Sequence, residues 1–378
     1  MERSDTLLVE RNNTFNDARR LPNGRGMYSH GAMSGRFSTL VLTLLWCCIL
    51  SAQPVDDPQV QYKRGIDYWY GEVVPQNYIE AANWFRKAAE QGHAEAQYRL
   101  AQMLAIGQGI GQDNTEAANW YRKSAGQGFA LAQYNLGTLY LFGRGVPKDY
   151  TEAAKWFSKA ADQGVVEAQY NLGVAYAQGQ GVPQDFHQAF SWFGKAADKG
   201  YSAAQFMLGS LYSDGQGVPK DPAQALTWFR KSADQDYAPA EYNLGVLYMA
   251  GTGVPRDLEQ AVGWFRKAAH WGLPQAQNAL RTIADTGLPS AQHVLGMTYE
   301  QGWGSTKIEA EAVSWYRKAA EQGYPPAEYD LARMLAEGRG VLKNEDEAEA
   351  WFRRAAEKGV REAQAWLEAR PAPTAPPK

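Results

Sequence analysis

The stretch GRGVPKDYTEAAKWF, residues 143–157, has the outline of a phosphate-binding loop. A Gly-x-Gly turn leads through a proline into an apolar-periodic segment, and the free amides of such a helix start can hold an anion. Two features argue against that chemistry. No strand precedes the glycines, and Thr151 and Lys155 do not form the Lys-Ser/Thr pair that phosphate and metal require. The deciding fact is repetition. The phrase returns as GQGVPQDFHQAFSWF from Gly179, GQGVPKDPAQALTWF from Gly215 and GTGVPRDLEQAVGWF from Gly251. A loop built for one phosphate has no reason to recur at fixed intervals, whereas a structural unit does.

The remaining chemistry-bearing residues are sparse. Asp285, Thr286 and Gly287 spell the aspartic-protease signature, but such enzymes pair two copies on β-turns and the chain has one copy in a helical setting. His93, His187, His270 and His293 show no i, i+4 pairing of the kind that binds zinc. Both cysteines, Cys47 and Cys48, lie in one apolar run near the start. The repeats contain no Ser-x-x-Lys element. No enzyme, metal or cofactor is expected on these grounds, and the formal charge of −3 without basic runs gives no indication of nucleic acid.

The residues that do recur define the elements. Trp84, Trp120, Trp156, Trp192, Trp228 and Trp264 are each 36 residues apart, and Trp315 and Trp351 resume the spacing after a gap of 51. Each of the eight units reads as two helices. In the first, Ala168, Leu172 and Tyr176 fall four apart; Gly179 and Gly181 stop it and Pro183 keeps it stopped. In the second, Ala153, Trp156, Phe157, Ala160 and Ala161 make one stripe. Its start carries an Asp or Asn followed three residues later by Glu or Gln, as in Asp149/Glu152, Asp185/Gln188 and Asn344/Glu347. That spacing predicts a capping box, with the acidic side chain reaching back to the amide of the cap residue. Ile308 breaks the pattern and predicts a frayed or shifted helix start. Two short amphipathic helices cannot bury their stripes alone, so stacking must supply the core, with the tryptophans inside it.

The pattern A-x-x-x-L-G-x-x-Y-x-x-G-x-G-V-P-x-D-x-x-x-A-x-x-W-F-x-K-A-A-x-x-G resembles the Sel-one-like repeats of the tetratricopeptide superfamily. Ala168, Leu172, Gly173, Tyr176, Gly179 and Gly181 carry it, with Asp149, Ala153, Trp156, Ala160, Ala161 and Gly164 of the preceding copy. The resemblance covers about residues 60–369. It implies an all-α, right-handed α-solenoid superhelix of about eight repeats, whose first helices line a concave groove for protein partners. Exported bacterial relatives of that type are associated with envelope signalling and exopolysaccharide secretion. A disulfide-bridged branch linked to β-lactam or peptidoglycan chemistry is the alternative, and the absence of cysteines from the repeats speaks against it.

By that register the candidate partner-binding residues are Leu131, Tyr134, Leu141, Phe142, Tyr170, Val174, Phe206, Tyr242, Val246 and Met249. With Tyr98 they include an aromatic row, one per repeat, which is also the pattern that packing between first helices would give. Outside the repeats, FSTLVLTLLWCCIL at 37–50 is too short for a bilayer span and fits a secretory signal, with cleavage after Ala52. A periplasmic or secreted protein is expected, or a membrane-anchored one if the segment stays uncleaved. The expected layout is a leader and signal at 1–52, a repeat block at 57–272, an inserted helix at 273–287, a second block at 288–369 and a proline-rich tail at 370–378. The insertion shows as a near-duplication, GLPQAQ at Gly272 and GLPSAQ at Gly287, and predicts a local bend.

Overall fold

A computed structural model describes residues 56–369; the predicted leader, signal segment and tail lie outside the described residues. Among the described residues are eighteen α-helices and no strand. The first eight are α1 (Pro58–Tyr70), α2 (Tyr78–Glu90), α3 (Ala94–Ile106), α4 (Asn114–Gly126), α5 (Ala130–Phe142), α6 (Tyr150–Asp162), α7 (Val166–Gln178) and α8 (Phe186–Asp198). Then come α9 (Ser202–Asp214), α10 (Pro222–Ala233), α11 (Ala238–Ala250), α12 (Leu258–His270) and the inserted α13 (Pro274–Ala284). The last are α14 (Pro289–Gln301), α15 (Glu309–Glu321), α16 (Pro325–Glu337), α17 (Glu345–Glu357) and α18 (Arg361–Glu368). Each helix packs on its neighbours in sequence, as in an α-solenoid.

The Gly-x-Gly loop does two jobs. Gly143 closes α5 in the left-handed conformation, φ 70°, and its amide donates to the Leu139 carbonyl. Gly145 then passes so close to the start of α4 that a Cβ would collide with the Asn114 carbonyl. The aspartate that follows caps the next helix: Asp149 Oδ1 accepts from the Thr151 and Glu152 amides at 2.9 and 3.0 Å. The second half of the capping box does not form. The Asp149 amide is already spent on the Tyr140 carbonyl at 3.0 Å, and the same bond runs from Asp113 to Leu104 and from Asp185 to Tyr176. The acidic side chain is free for other partners, and Glu116 takes Arg86 at 2.6 Å and the Trp120 indole at 3.1 Å. Ile308 makes no side-chain cap bond, yet its amide reaches the Tyr299 carbonyl as the aspartates' amides do, and α15 begins in register at Glu309. The expected shift is therefore absent, because the loop's backbone bond fixes the start without the cap.

The core differs from the expectation in one respect. The fully enclosed aromatic of each unit is the residue after the tryptophan: Phe85, Phe193, Phe265 and Tyr316 have no exposed surface. Glycines of the first helices make room for it, since a Cβ on Gly173 would lie 2.7 Å from the Phe193 ring. Trp120, Trp192 and Trp315 are buried, but Trp84, Trp156, Trp228, Trp264 and Trp351 are only half-buried. Each tryptophan instead has the cation three residues on lying over its face, from Lys195 at 3.5 Å over Trp192 to Arg354 at 4.5 Å over Trp351. At the insertion, α12 packs against both α13 and α14, and one apolar cluster runs from Ala261 through Leu280 and Leu295 to Ala363.

Candidate partner-binding face

The first helices carry the predicted residues, one turn after another. The aromatic row is packed along its length. Tyr98 and Tyr134 are buried, while Tyr170, Phe206 and Tyr242 are half-buried. Tyr134, Tyr170, Phe206 and Tyr242 tilt onto Phe157, Phe193, Phe229 and Phe265 of their own repeats at 5.9, 5.7, 5.7 and 5.5 Å. Tyr170 and Phe206 also reach Tyr201 and Tyr237 at the entry to the next repeat, at 5.2 and 5.6 Å. These rings therefore tie repeats together, and only the edges of the half-buried ones meet solvent.

The aliphatic candidates separate into two groups. On α5, Leu131 is exposed, and Leu141 and Phe142 are half-buried, with the Arg144 guanidinium 5.3 Å from the Phe142 ring. Leu141 and Val174 come together around a recess of about 40 Å³ that also involves Phe157 and Asn171. Val246, Met249 and Tyr242 of α11 form the second group and rest against the apolar cluster of the C-terminal helices. One repeat before Phe142, at the same register, Ile106 closes α3 and is 55% exposed. A larger open recess, about 480 Å³, follows α6 and is lined by Trp156, Lys159, Leu172 and Tyr176.

Further along, the same face changes chemistry. His293 occupies the register of the aromatic row, Glu300 that of Met249 and Arg333 that of Val246. Glu300, 3% exposed, accepts from the Tyr316 hydroxyl at 2.8 Å and pairs with Arg333 at 2.8 Å and Arg339 at 3.1 Å. Arg333 also holds Asp330 at 3.1 Å, and Asp330 meets His293 Nε2 at 2.8 Å. Burial, then the Asp330 and Glu300 carboxylates, push the Tyr316 hydroxyl well above its usual range, so it stays a donor. The His293–Asp330 contact has the form of a catalytic dyad, but its carboxylate is bound by Arg333. The cluster is a closed ionic network. Sequence reading missed it because its partners stand in different repeats, 33 or 37 residues apart. Aligning the copies would have flagged Glu300 and Arg333 as charges in otherwise uncharged columns.

Among the described residues, no group of three His, Cys, Asp or Glu side chains could hold a metal ion, and no helix is long and apolar enough to cross a membrane. The helical pairs and their loops match the model of the Sel1 repeat eight times, at residues 58–93, 94–129, 130–165, 166–201, 202–237, 238–270, 289–324 and 325–360. The chain belongs to the Sel1 repeat family. The matches leave 271–288 uncovered, where α13 is inserted. Sel1 repeat proteins are generally protein-interaction scaffolds, typically without enzymatic activity.

Among solved structures, a protective antigen, c5321, present in uropathogenic Escherichia coli strains and displaying an SLR fold, is 36% identical with a TM-score of 0.57. The match covers 87% of this chain and 66% of the antigen, so this chain spans just under two thirds of that protein. A Sel1 repeat protein from Oxalobacter formigenes is 31% identical, with a TM-score of 0.53 and coverage of 88% and 91%. No curated protein matches the chain.

Proposed function

We propose that this Sel1 repeat chain is an exported scaffold that captures a protein partner on the face of its first helices, centred on α5. The supporting observation is the apolar set Leu131, Leu141 and Phe142, with Ile106 one repeat earlier. Other repeats fold with Glu95, Glu167 or Ser290 at the place of Leu131, and with Gln178, Asp214 or Glu337 at the place of Phe142. Packing does not demand an apolar side chain there, so an exposed one is better explained by a contact outside the chain. The apolar run at 37–50 favours a periplasmic or secreted location, with an uncleaved membrane anchor as the competing outcome; envelope signalling and exopolysaccharide export are the processes such a scaffold would serve.

The test is proximity labelling in the native cell envelope with the wild-type chain and a Leu141→Asp, Phe142→Asp double variant. The double variant is expected to lose the labelled partner while its thermal midpoint stays nearly unchanged. A collapsed midpoint would place both residues in the core. An unchanged set of labelled proteins at an intact midpoint would remove α5 from the binding face.

A further inference from the structure

A ladder of buried carboxamides crosses the stack. Gln97, Gln133, Gln169, Gln205 and Gln292 each donate from Nε2 to the carbonyl of an alanine of the preceding helix, eight residues earlier, at 3.0 to 3.3 Å. In most rungs Oε1 accepts from the side chain thirty residues later: Gln127 to Gln97, Gln163 to Gln133, Gln235 to Gln205 and Gln322 to Gln292, at 2.7 to 2.8 Å. These four rungs thus use one donor and one acceptor on the same group; at Gln169 the thirtieth residue is Lys199, which donates to the Gly164 carbonyl instead and leaves Oε1 without a hydrogen-bond partner. A carboxamide has both; a carboxylate has only acceptors.

Two rungs carry glutamate, and both are completely buried. At Glu328 the thirtieth residue on is Lys358, whose Nζ lies 2.7 Å from Oε1, with Arg354 at 3.4 Å. That carboxylate has its counter-charges. At Glu241 the thirtieth residue is Trp271, more than half exposed, and neither carboxyl oxygen has a hydrogen-bond partner. The charged groups that act on it are Lys267 of α12 and Asp236 in the turn entering α11. The others around it are engaged elsewhere. Arg230 donates to the Tyr248 hydroxyl, Lys231 lies over Trp228, and Lys267 itself lies over Trp264. Arg266 and Glu259 act on Tyr324, Asp257 caps α12, Asp234 is exposed at the end of α10, and His270 packs on Trp303. Asp236 also departs from the other repeats: it has φ 59° where they place glycine, and it is the single non-glycine residue of positive φ among the described residues.

We propose that Glu241 is protonated in the folded stack, its carboxyl proton replacing the missing amide donor toward the Ala233 carbonyl, and that losing this proton loosens the α10–α11 junction, a pH-sensitive joint between the fifth and sixth repeats. The ionised form would leave an uncompensated charge in the core, which folding tolerates poorly. Burial pushes the carboxyl up to about 7, against the pull of Lys267 and with help from Asp236. The folded value is raised above the ordinary 4.5, so the contribution to stability is fully present below about 4.5 and is lost as pH rises through about 7. The inference does not depend on the partner-binding face.

The experiment is a carbon-13 titration of the glutamate carboxyls in the full chain, with the Glu241 signal assigned by its absence from Glu241→Gln. A midpoint near neutrality, about two pH units above an ordinary glutamate, is expected. A midpoint at or below the ordinary range overturns the protonation. Replacing Trp271→Lys recreates the Glu328–Lys358 pair and is expected to bring the midpoint below the ordinary range; this variant serves also if Glu241→Gln does not fold. Amide exchange then reads the joint. Protection across residues 222–250, corrected for intrinsic rates, is expected to fall in the wild type between pH 5.5 and 8 and to stay level in Glu241→Gln. Level protection in the wild type overturns the joint even if the titration holds.

Discussion

At the scale of single residues, the tryptophans announce the repeat but do not carry most of its burial. Trp and the aromatic after it both fall within the apolar stripe of a helix, so periodicity cannot rank them; only the direction of each side chain does. Phe157 points into the stack with 2% of its surface exposed, whereas Trp156 is half-buried beneath Lys159 at 4.2 Å. Such a cation over a ring contributes about 0.5–1 kcal/mol at partly exposed sites, far less than a filled core position. Phe157→Ala is therefore expected to cost about 3–5 kcal/mol in urea unfolding, and Trp156→Ala clearly less. Equal losses would show that the indole is as much a part of the core as the phenyl ring. A Lys or Arg three residues after each repeat tryptophan is visible in the sequence, but near a helix C-terminus such a cation is already accounted for by the helix dipole. Its place over the ring needed coordinates.

At the scale of helices, the starts and stops were legible almost to the residue, because glycine, proline and aspartate each impose a local geometry that does not depend on the rest of the chain. Reciprocity in the capping box was not, since it depends on where the cap residue's amide points. The turn sends that amide to the carbonyl of the preceding first helix, as from Asp149 to Tyr140. Two consequences can be measured. Ile308→Asp supplies the side-chain cap that α15 lacks among the described second helices, in a loop that is already in register, and should raise stability by about 1 kcal/mol. Glu152→Ala removes no bond to the cap amide, so its effect on the melting temperature should be much smaller than that of Asp149→Ala. A Glu152 effect matching Asp149 would mean that the reciprocal bond forms in solution. The inserted α13 was likewise readable, as a duplicated GLP-x-AQ phrase; the continuous core through it was not, because no local signal says which faces α12 shares with α13 and α14.

For the repeat array as a whole, stability is a sum over neighbouring units, so a titratable group at one junction acts on that junction first. His93 sits at the first of them. Its Nδ1 accepts the Ala96 amide at 3.1 Å and caps α3, which leaves Nε2 to donate to Gln59 Oε1 at 2.9 Å, and the ring stacks on Tyr62 at 4.7 Å. Protonation would place a hydrogen on Nδ1 against the Ala96 amide and break the cap. Burial holds the imidazole below its ordinary 6.5, with the Glu95 and Asp57 carboxylates opposing. The folded value is the lower one, so this contribution is fully present above about 6.5 and is lost as pH falls through the folded value. Glu241 has the opposite sign. Acid should therefore loosen the first repeat and base the fifth-to-sixth junction, within one chain. Amide exchange between pH 7.5 and 5 should show protection of α1 and the start of α3 falling in the wild type and holding in His93→Asn, which keeps a capping oxygen without a titrating nitrogen. Equal acid sensitivity in both proteins would show that the His93 ring is not the group responsible.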